Sequence, residues 1–255
     1  DRLHSLSGNA CCVVDCERQS DLDGFTAQVL DAVTAGKRFL FRSGASLITS
    51  LAGLPPQPVG AEDLHSQVRN DGPGAVIVGS HVRKTTAQVE ALLAEPDVAP
   101  VQVDVDRIAD DRPGILAEVL ADAAAAHAAG LTPVIYTSRV ERTLPDQAAR
   151  LAFGEQVSGL LMDVVRGLPA ETSFLISKGG ITSNDVLSDG LALRQSRVLG
   201  QVLPGCSVVR CPDDHPRFPR LPVVIFPGNV GAATALATAF RRLAGRPRAT
   251  KVAAG

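Results

Sequence analysis

The sequence predicts an α/β fold: a mostly parallel sheet with helices on both faces, mixed strands near the C-terminus, and a partial βαβα piece at the N-terminus. Three observations carry this expectation. Short continuous apolar runs alternate with stretches of helical periodicity, as in a sheet whose strands are buried on both faces. Gly/Ser/Thr-rich segments follow several of these runs, and between 198 and 226 three apolar runs succeed one another with no helical stretch between them.

Residues 10–15 (ACCVVD) read as a short buried strand. Leu22, Phe25, Val29, Leu30 and Val33 then recur at helical spacing until Gly36 supplies a stop. Residues 38–41 read as a second strand, and 43–46 open a short helix ending near Gly53. The prolines at 55, 56 and 58 continue neither helix nor central strand, so 54–60 read as a linker. Beyond it the expected strands are 75–78, 101–105, 133–137, 173–177, 198–203, 207–210 and 223–226. The expected helices are 85–94, 113–129, 146–165 and 232–243. This places one partial domain at 1–58, a self-contained α/β domain at 59–245, and a basic Gly/Pro/Ala tail at 246–255 that is expected to fray.

At roughly 150 residues per domain, 255 residues correspond to about 1.7 domains. A 45% hydrophobic, 20% charged chain can bury a large core. Lys plus Arg (25) nearly balance Asp plus Glu (27), which leaves no electrostatic footprint for nucleic acid or an anionic membrane. Partners are expected to be small molecules or proteins. No apolar run approaches the ~18 residues of a membrane span, and the first residues lack an apolar signal core, so the expected compartment is the cytoplasm. Cys11, Cys12 and Cys16 are spaced poorly for structural zinc; with Cys206 and Cys211 they read as buried free thiols. Asp213-Asp214-His215, between Pro212 and Pro216, reads as an exposed loop, and no metal site is expected.

Ligands of open α/β sheets bind at the carboxyl ends of strands. Three segments fall at such ends: Val78-Gly79-Ser80-His81-Val82; Ile176-Ser177-Lys178-Gly179-Gly180-Ile181-Thr182-Ser183-Asn184-Asp185; and Phe226-Pro227-Gly228-Asn229-Val230-Gly231. Gly179 and Gly180 free backbone N–H groups to face an anion, Thr182 or Ser183 can cap the following helix, and Lys178 adds a positive charge. Taken alone, this segment serves equally as a phosphate cradle or as a plain turn and cap. A Walker-type loop and a dinucleotide-binding Gly-x-Gly-x-x-Gly are both absent.

These segments, with Val202-Leu203-Pro204-Gly205 and in this order, resemble the nucleotide-binding C-terminal domain of the four-carbon acid sugar kinases. Residues 39–46 and 53–56 resemble the end of that family's N-terminal, sugar-binding domain, which makes the N-terminal piece the remnant of a second α/β domain. The resemblance implies ATP-dependent phosphorylation of a hydroxyl on a four-carbon sugar acid, a tetronate or 3-oxo-tetronate, with Mg²⁺. Carried over residue by residue, it places ATP against Ser80, Gly179, Gly180, Ile181, Thr182 and Gly228. Lys178 and Ser183 are candidate phosphate contacts, and Arg42 is a candidate contact for the sugar carboxylate, with a surface ion pair as the alternative. Ala232 departs from the pattern, which often has Asp there. The Asp-Asp-x-Thr-Gly-Ala-like segment that opens the family's N-terminal domain has no counterpart, so most of the acceptor site is expected to be missing. The catalytic residues are not assignable. Asp104, Asp106 and Asp185 are conceivable metal ligands, though ordinary loop or helix carboxylates serve as well, and the same holds for His81 as a phosphate contact. The alternative function is a stand-alone nucleotide-binding module without kinase activity. The sequence does not define the oligomeric state, but an unfinished sheet over 10–41 would offer an edge for pairing with another chain, which leaves a homo-oligomer open.

Overall fold

The structure is a computed structural model that describes residues 2–54, 57–139 and 144–245. The chain divides into two compact units, Asp1–Pro56 and Gln57–Gly255.

In the N-terminal unit, α1 (Arg2–Ser5), α2 (Gln19–Thr34) and α3 (Ala45–Leu51) form where helical spacing placed the last two. Asp21 secures the start of α2 by accepting hydrogen bonds at Oδ2 from the N–H groups of Glu17 (3.1 Å) and Arg18 (2.9 Å). Helices α2 and α3 pack together, and Gln19 Nε2 donates to Ser46 O at 3.0 Å and Ser50 Oγ at 2.6 Å. The strands expected at 10–15 and 38–41 do not form: both segments are irregular, and the unfinished sheet edge expected over 10–41 is absent with them. The physical reason is the lack of partners. A strand is stable only in a ladder, and no strand occurs among the described residues of this unit. A second correction follows, because Cys11, Cys12 and Cys16 are exposed free thiols; only Cys206 and Cys211 are buried.

The C-terminal unit holds one sheet of seven strands: β1 (Ala75–Val78), β2 (Val98–Val103), β3 (Thr132–Thr137), β4 (Leu175–Lys178), β5 (Arg197–Leu203), β6 (Cys206–Arg210) and β7 (Pro222–Phe226). Their spatial order is β2-β3-β1-β4-β7-β6-β5. The first five in this order run parallel, while β6 and β5 run antiparallel, which is the mixed C-terminal region the sequence predicts. The chain crosses between parallel strands through α4 (Arg83–Leu93), α5 (Ile108–Ala128) and α6 (Gln147–Gly167). Helices α7 (Gly180–Asp185) and α8 (Ala235–Leu243) follow β4 and β7.

The apolar runs are continuous because each strand feeds two cores. Along β1, Ala75 and Ile77 face the layer that holds α5 and α6, while Val76 and Val78 face the layer that holds α4 and α8. Helix boundaries follow capping chemistry. Asp146 Oδ1 accepts from Ala149 N at 2.8 Å to start α6. In α5 the backbone kinks at Asp111, whose Oδ1 accepts from Gly114 N at 3.0 Å and restarts the helix just where Pro113 is tolerated. At the sheet edge, the end of the expected linker is tied down: Val59 N donates to Leu199 O at 2.9 Å, and Gln201 N donates to Gln57 Oε1 at 2.5 Å. These bonds cover part of an otherwise open β5.

Candidate nucleotide site at three strand ends

Strands β1, β4 and β7 are neighbours in the sheet, and Val78, Lys178 and Phe226 stand in register across them. The next residues, Gly79, Gly179 and Pro227, therefore leave the sheet side by side. Parallel pairing thus brings together three segments separated by about a hundred and about fifty residues of sequence.

The three loops meet in atomic detail. Gly179 N donates to Phe226 O at 2.9 Å. Gly179 has φ +125°, a backbone conformation that side chains rarely adopt, and a Cβ there would stand 3.0 Å from Thr182 Oγ1 and 3.4 Å from Ser80 Cβ. A Cβ on Gly79 would strike Thr182 Oγ1 outright. Thr85 Oγ1 donates to Ser80 Oγ at 3.3 Å and approaches Gly228 O at 3.5 Å, linking the first loop to the third. Of the residues carried over from the resemblance, Ser80, Gly179, Thr182 and Gly228 thus lie in one cluster. Gly180 is exposed, and a Cβ on it would meet nothing within 4 Å. Ile181 is 78% exposed beside it. The cluster is therefore closed beneath and open at Gly180 and Ile181.

The helix start differs from the expected one. Neither Thr182 nor Ser183 caps α7; Gly179 occupies the cap position, and Ser183 N donates to Gly179 O at 2.9 Å as the first helical bond. The positive φ of Gly179 turns the chain from strand directly into helix, so the helix begins before either hydroxyl. Ser183 is buried instead, its hydroxyl donating to Ser177 O at 3.0 Å and accepting from Ser177 Oγ at 2.9 Å, which fastens α7 to β4.

Lys178 is fully buried. Two residues on from Ile176, it lies on the sheet face that holds Phe226, and its Nζ stands 4.4 Å from that ring's centroid. The ammonium donates to Pro227 O at 2.6 Å and to Gly228 O at 3.1 Å. Burial lowers its pKa from the ordinary 10.5 to about 8, helped by the like charge of Lys84 and opposed by Cys206. The unfolded chain therefore holds this proton to higher pH than the folded one. On this account folding stability rises with pH between about 8 and 10.5.

Sequence reasoning missed the contribution of α4. Lys84 Nζ donates to Asn229 O at 2.9 Å, and Gln88 Nε2 donates to Val230 O at 2.9 Å and Ala232 O at 3.0 Å. The available signal was positional: Gln88 is polar, yet it falls between Thr85 and Leu92 on the buried face of α4.

The remaining candidates lie elsewhere. Arg42 is exposed in the N-terminal unit, and His81 is exposed at the end of the first loop. Asp104 Oδ1 accepts from Asp106 N at 3.1 Å, and Asp185 Oδ2 accepts from Ser158 Oγ at 2.5 Å. His215 donates from Nε2 to Leu191 O at 2.9 Å and accepts at Nδ1 from Phe218 N at 2.9 Å, which organises its loop. Among the described residues no group of three or more His, Cys, Asp or Glu could hold a metal ion, and Asp185, the carboxylate that ends the second segment, is engaged by Ser158. No helix among them is long and apolar enough to cross a membrane.

The chain is similar to known proteins in sequence and in fold. Residues 75–236, more than half of the chain, match the nucleotide-binding C-terminal domain family. The 3-oxo-tetronate kinase of Cupriavidus necator is 31% identical over 255 aligned positions, which cover 96% of this chain and 55% of that protein. The chain thus spans about half the length of this relative. Two solved structures share the fold. One is a domain of unknown function from Bordetella bronchiseptica, a domain-swapped dimer with bound citrate (TM-score 0.57, 19% identity, 91% of this chain and 53% of that one). The other is described as a putative tRNA synthase from Salmonella typhimurium (TM-score 0.58, 18% identity, 88% and 51%). The chain belongs to the family of nucleotide-binding C-terminal domains, that of the four-carbon acid sugar kinases.

Proposed function

We propose that the C-terminal unit binds ATP at the three strand ends and supplies the nucleotide half of a sugar acid kinase that phosphorylates a hydroxyl of a tetronate or 3-oxo-tetronate. The observation that carries this reading is the convergence of Ser80, Gly179, Thr182 and Gly228 from three adjacent parallel strands around the open space at Gly180. Phosphoryl transfer rests mainly on positioning and charge neutralisation, and a cluster of small residues with accessible backbone suits the first task. Ile181 offers an exposed apolar surface beside the phosphate-facing glycines. The Mg²⁺ that such a kinase uses would arrive with the nucleotide, held by phosphates and water; Asp185, the carboxylate that ends the second segment, is already taken up by Ser158 Oγ. An ATP-dependent kinase of this kind works in the cytoplasm.

Of the acceptor half, Arg42 is the residue we assign, as a contact for the substrate carboxylate. The relative's activity belongs to a protein that this chain matches over 55% of its length. We therefore expect MgATP binding, but not tetronate-dependent ADP release, from these 255 residues alone.

Saturating MgATP, at about 100 times its dissociation constant, should stabilise the chain by about 2.7 kcal/mol in thermal or urea unfolding. Gly180→Asp puts a carboxylate into open space, so it should leave the unliganded stability nearly unchanged while removing the response to MgATP. A wild-type chain that shows no stabilisation by MgATP would sink the nucleotide reading.

A further inference from the structure

Lys178 is a buried cation without a carboxylate partner among the described residues. Its ammonium rests on two carbonyl groups and the face of Phe226. The titratable groups that face it are Lys84 from α4, a like charge, and Cys206 from β6, whose thiol burial pushes up to about 11. Burying a charge without a counter-charge is expensive, so the position calls for a compensating anion.

The third loop shows where that anion would lie. Lys178 holds the carbonyls of Pro227 and Gly228, Lys84 holds that of Asn229, and Gln88 holds that of Val230. In a trans peptide the C=O and the following N–H point in opposite directions, and no cis peptide bond occurs among the described residues. The N–H groups of Gly228, Asn229, Val230 and Gly231 therefore point away from the side chains that grip the loop. None of the four donates a hydrogen bond within the described protein.

We propose that Lys178 is a positioning residue of the nucleotide site: it turns the peptide groups of 227–229 so that their N–H groups face the phosphates, and the bound phosphates supply the counter-charge its ammonium lacks. This deepens, and rests on, the nucleotide reading above. An ammonium that draws on a carbonyl also polarises that peptide, making its N–H a stronger donor. One consequence is a linked proton. The free protein gives up the Lys178 proton near pH 8, whereas a polyanion nearby favours the charged form. Binding then takes up a proton above pH 8, and affinity falls with rising pH by up to about tenfold per unit for one linked proton.

The test is calorimetric titration of the full chain with MgATP from pH 7 to 9, with the pH 8.5 titration repeated in two buffers of different ionisation enthalpy. Wild type should show affinity falling above pH 8 and a buffer-dependent enthalpy that reports proton uptake. Lys178→Met should bind MgATP about 10–100-fold more weakly at pH 7 and show no uptake at pH 8.5. Wild-type affinity in Lys178→Met, or wild-type binding that is tight and indifferent to pH, overturns the inference and leaves the nucleotide reading standing. Should the variant fail to fold, the wild-type pH series decides alone. A wild-type chain that does not bind MgATP at any pH overturns both.

Discussion

Residues 10–15 and 75–78 carry the same kind of apolar run, yet Val13 is 82% exposed while Ile77 is fully buried. The difference lies in what the rest of each unit provides. Ala75–Val78 finds β3 on one side and β4 on the other, so its N–H and C=O groups are paired and both of its faces meet a helix layer. Residues 10–15 find no strand at all within the described N-terminal unit, whose buried residues are Thr26, Val29, Ala32 and Leu47. A strand is thus a property of a sheet rather than of a segment, and apolar runs of four to six residues specify only that they would join one if it were there.

The largest expected contrast is in hydrogen exchange. Amides of Ala75–Val78 and of residues 223–226 lie in strands flanked on both sides within the sheet and should open only with global unfolding, a cost of several kcal/mol or roughly a thousandfold or more in protection. Amides at 10–15 and 38–41 lack ladders and should exchange almost freely. Protection of 10–15 comparable to that of β1 would erase the distinction between the units. Thiol labelling gives a second, coarser reading. Cys11, Cys12 and Cys16 should react with an aromatic disulfide reagent in the folded chain. Cys206 and Cys211, whose pKa values burial pushes up to about 11 and about 12, should react only on unfolding. Three fast thiols and two slow ones is the expected count; five slow ones would return the N-terminal cysteines to a core.

The same physics decides how much was legible in advance. The C-terminal sheet was readable because Ala75–Val78, Thr132–Thr137 and Pro222–Phe226 are apolar on both alternating positions, which only a doubly covered strand requires. That three small-residue loops would stand at strand ends was readable for the same reason, and the adjacency of β1, β4 and β7 brings them together as a candidate site. What could not be read was anything that depended on contacts made across the fold. Thr182 and Ser183 carry a capping signature that yields to the positive φ of Gly179, one residue earlier than the cap logic looks. Lys178 reads as a loop cation beside two glycines, but it is the last residue of β4, and period-two alternation sends it down onto Phe226. Lys84 and Gln88 reach the third loop from α4 across more than 140 residues of sequence, as the separations of 145 and 142 residues show.

The smallest effects sharpen the comparison most finely, because they use one chemical change at two places. Phe174 is buried to 1% between the strands and α8, with its ring centroid 6.2 Å from that of Phe240. Phe174→Ala should cost about 3–5 kcal/mol in urea unfolding through lost transfer energy and the cavity left behind. Leu92→Ala, at a fully buried position of α4, should cost about 2–5 kcal/mol for the same reason. Leu40 presents its whole side chain to solvent, at 101% exposure, so Leu40→Ala removes no contact and no buried area. Its expected effect is within about 0.5 kcal/mol. The pair Leu92→Ala and Leu40→Ala differs only in what surrounds the leucine, so the gap between them measures the packing that separates the two units. A Leu40→Ala cost above about 2 kcal/mol would mean that 38–41 is covered in solution after all, by a second copy or by another part of the protein, and that its apolar run does meet the partner it was expected to have.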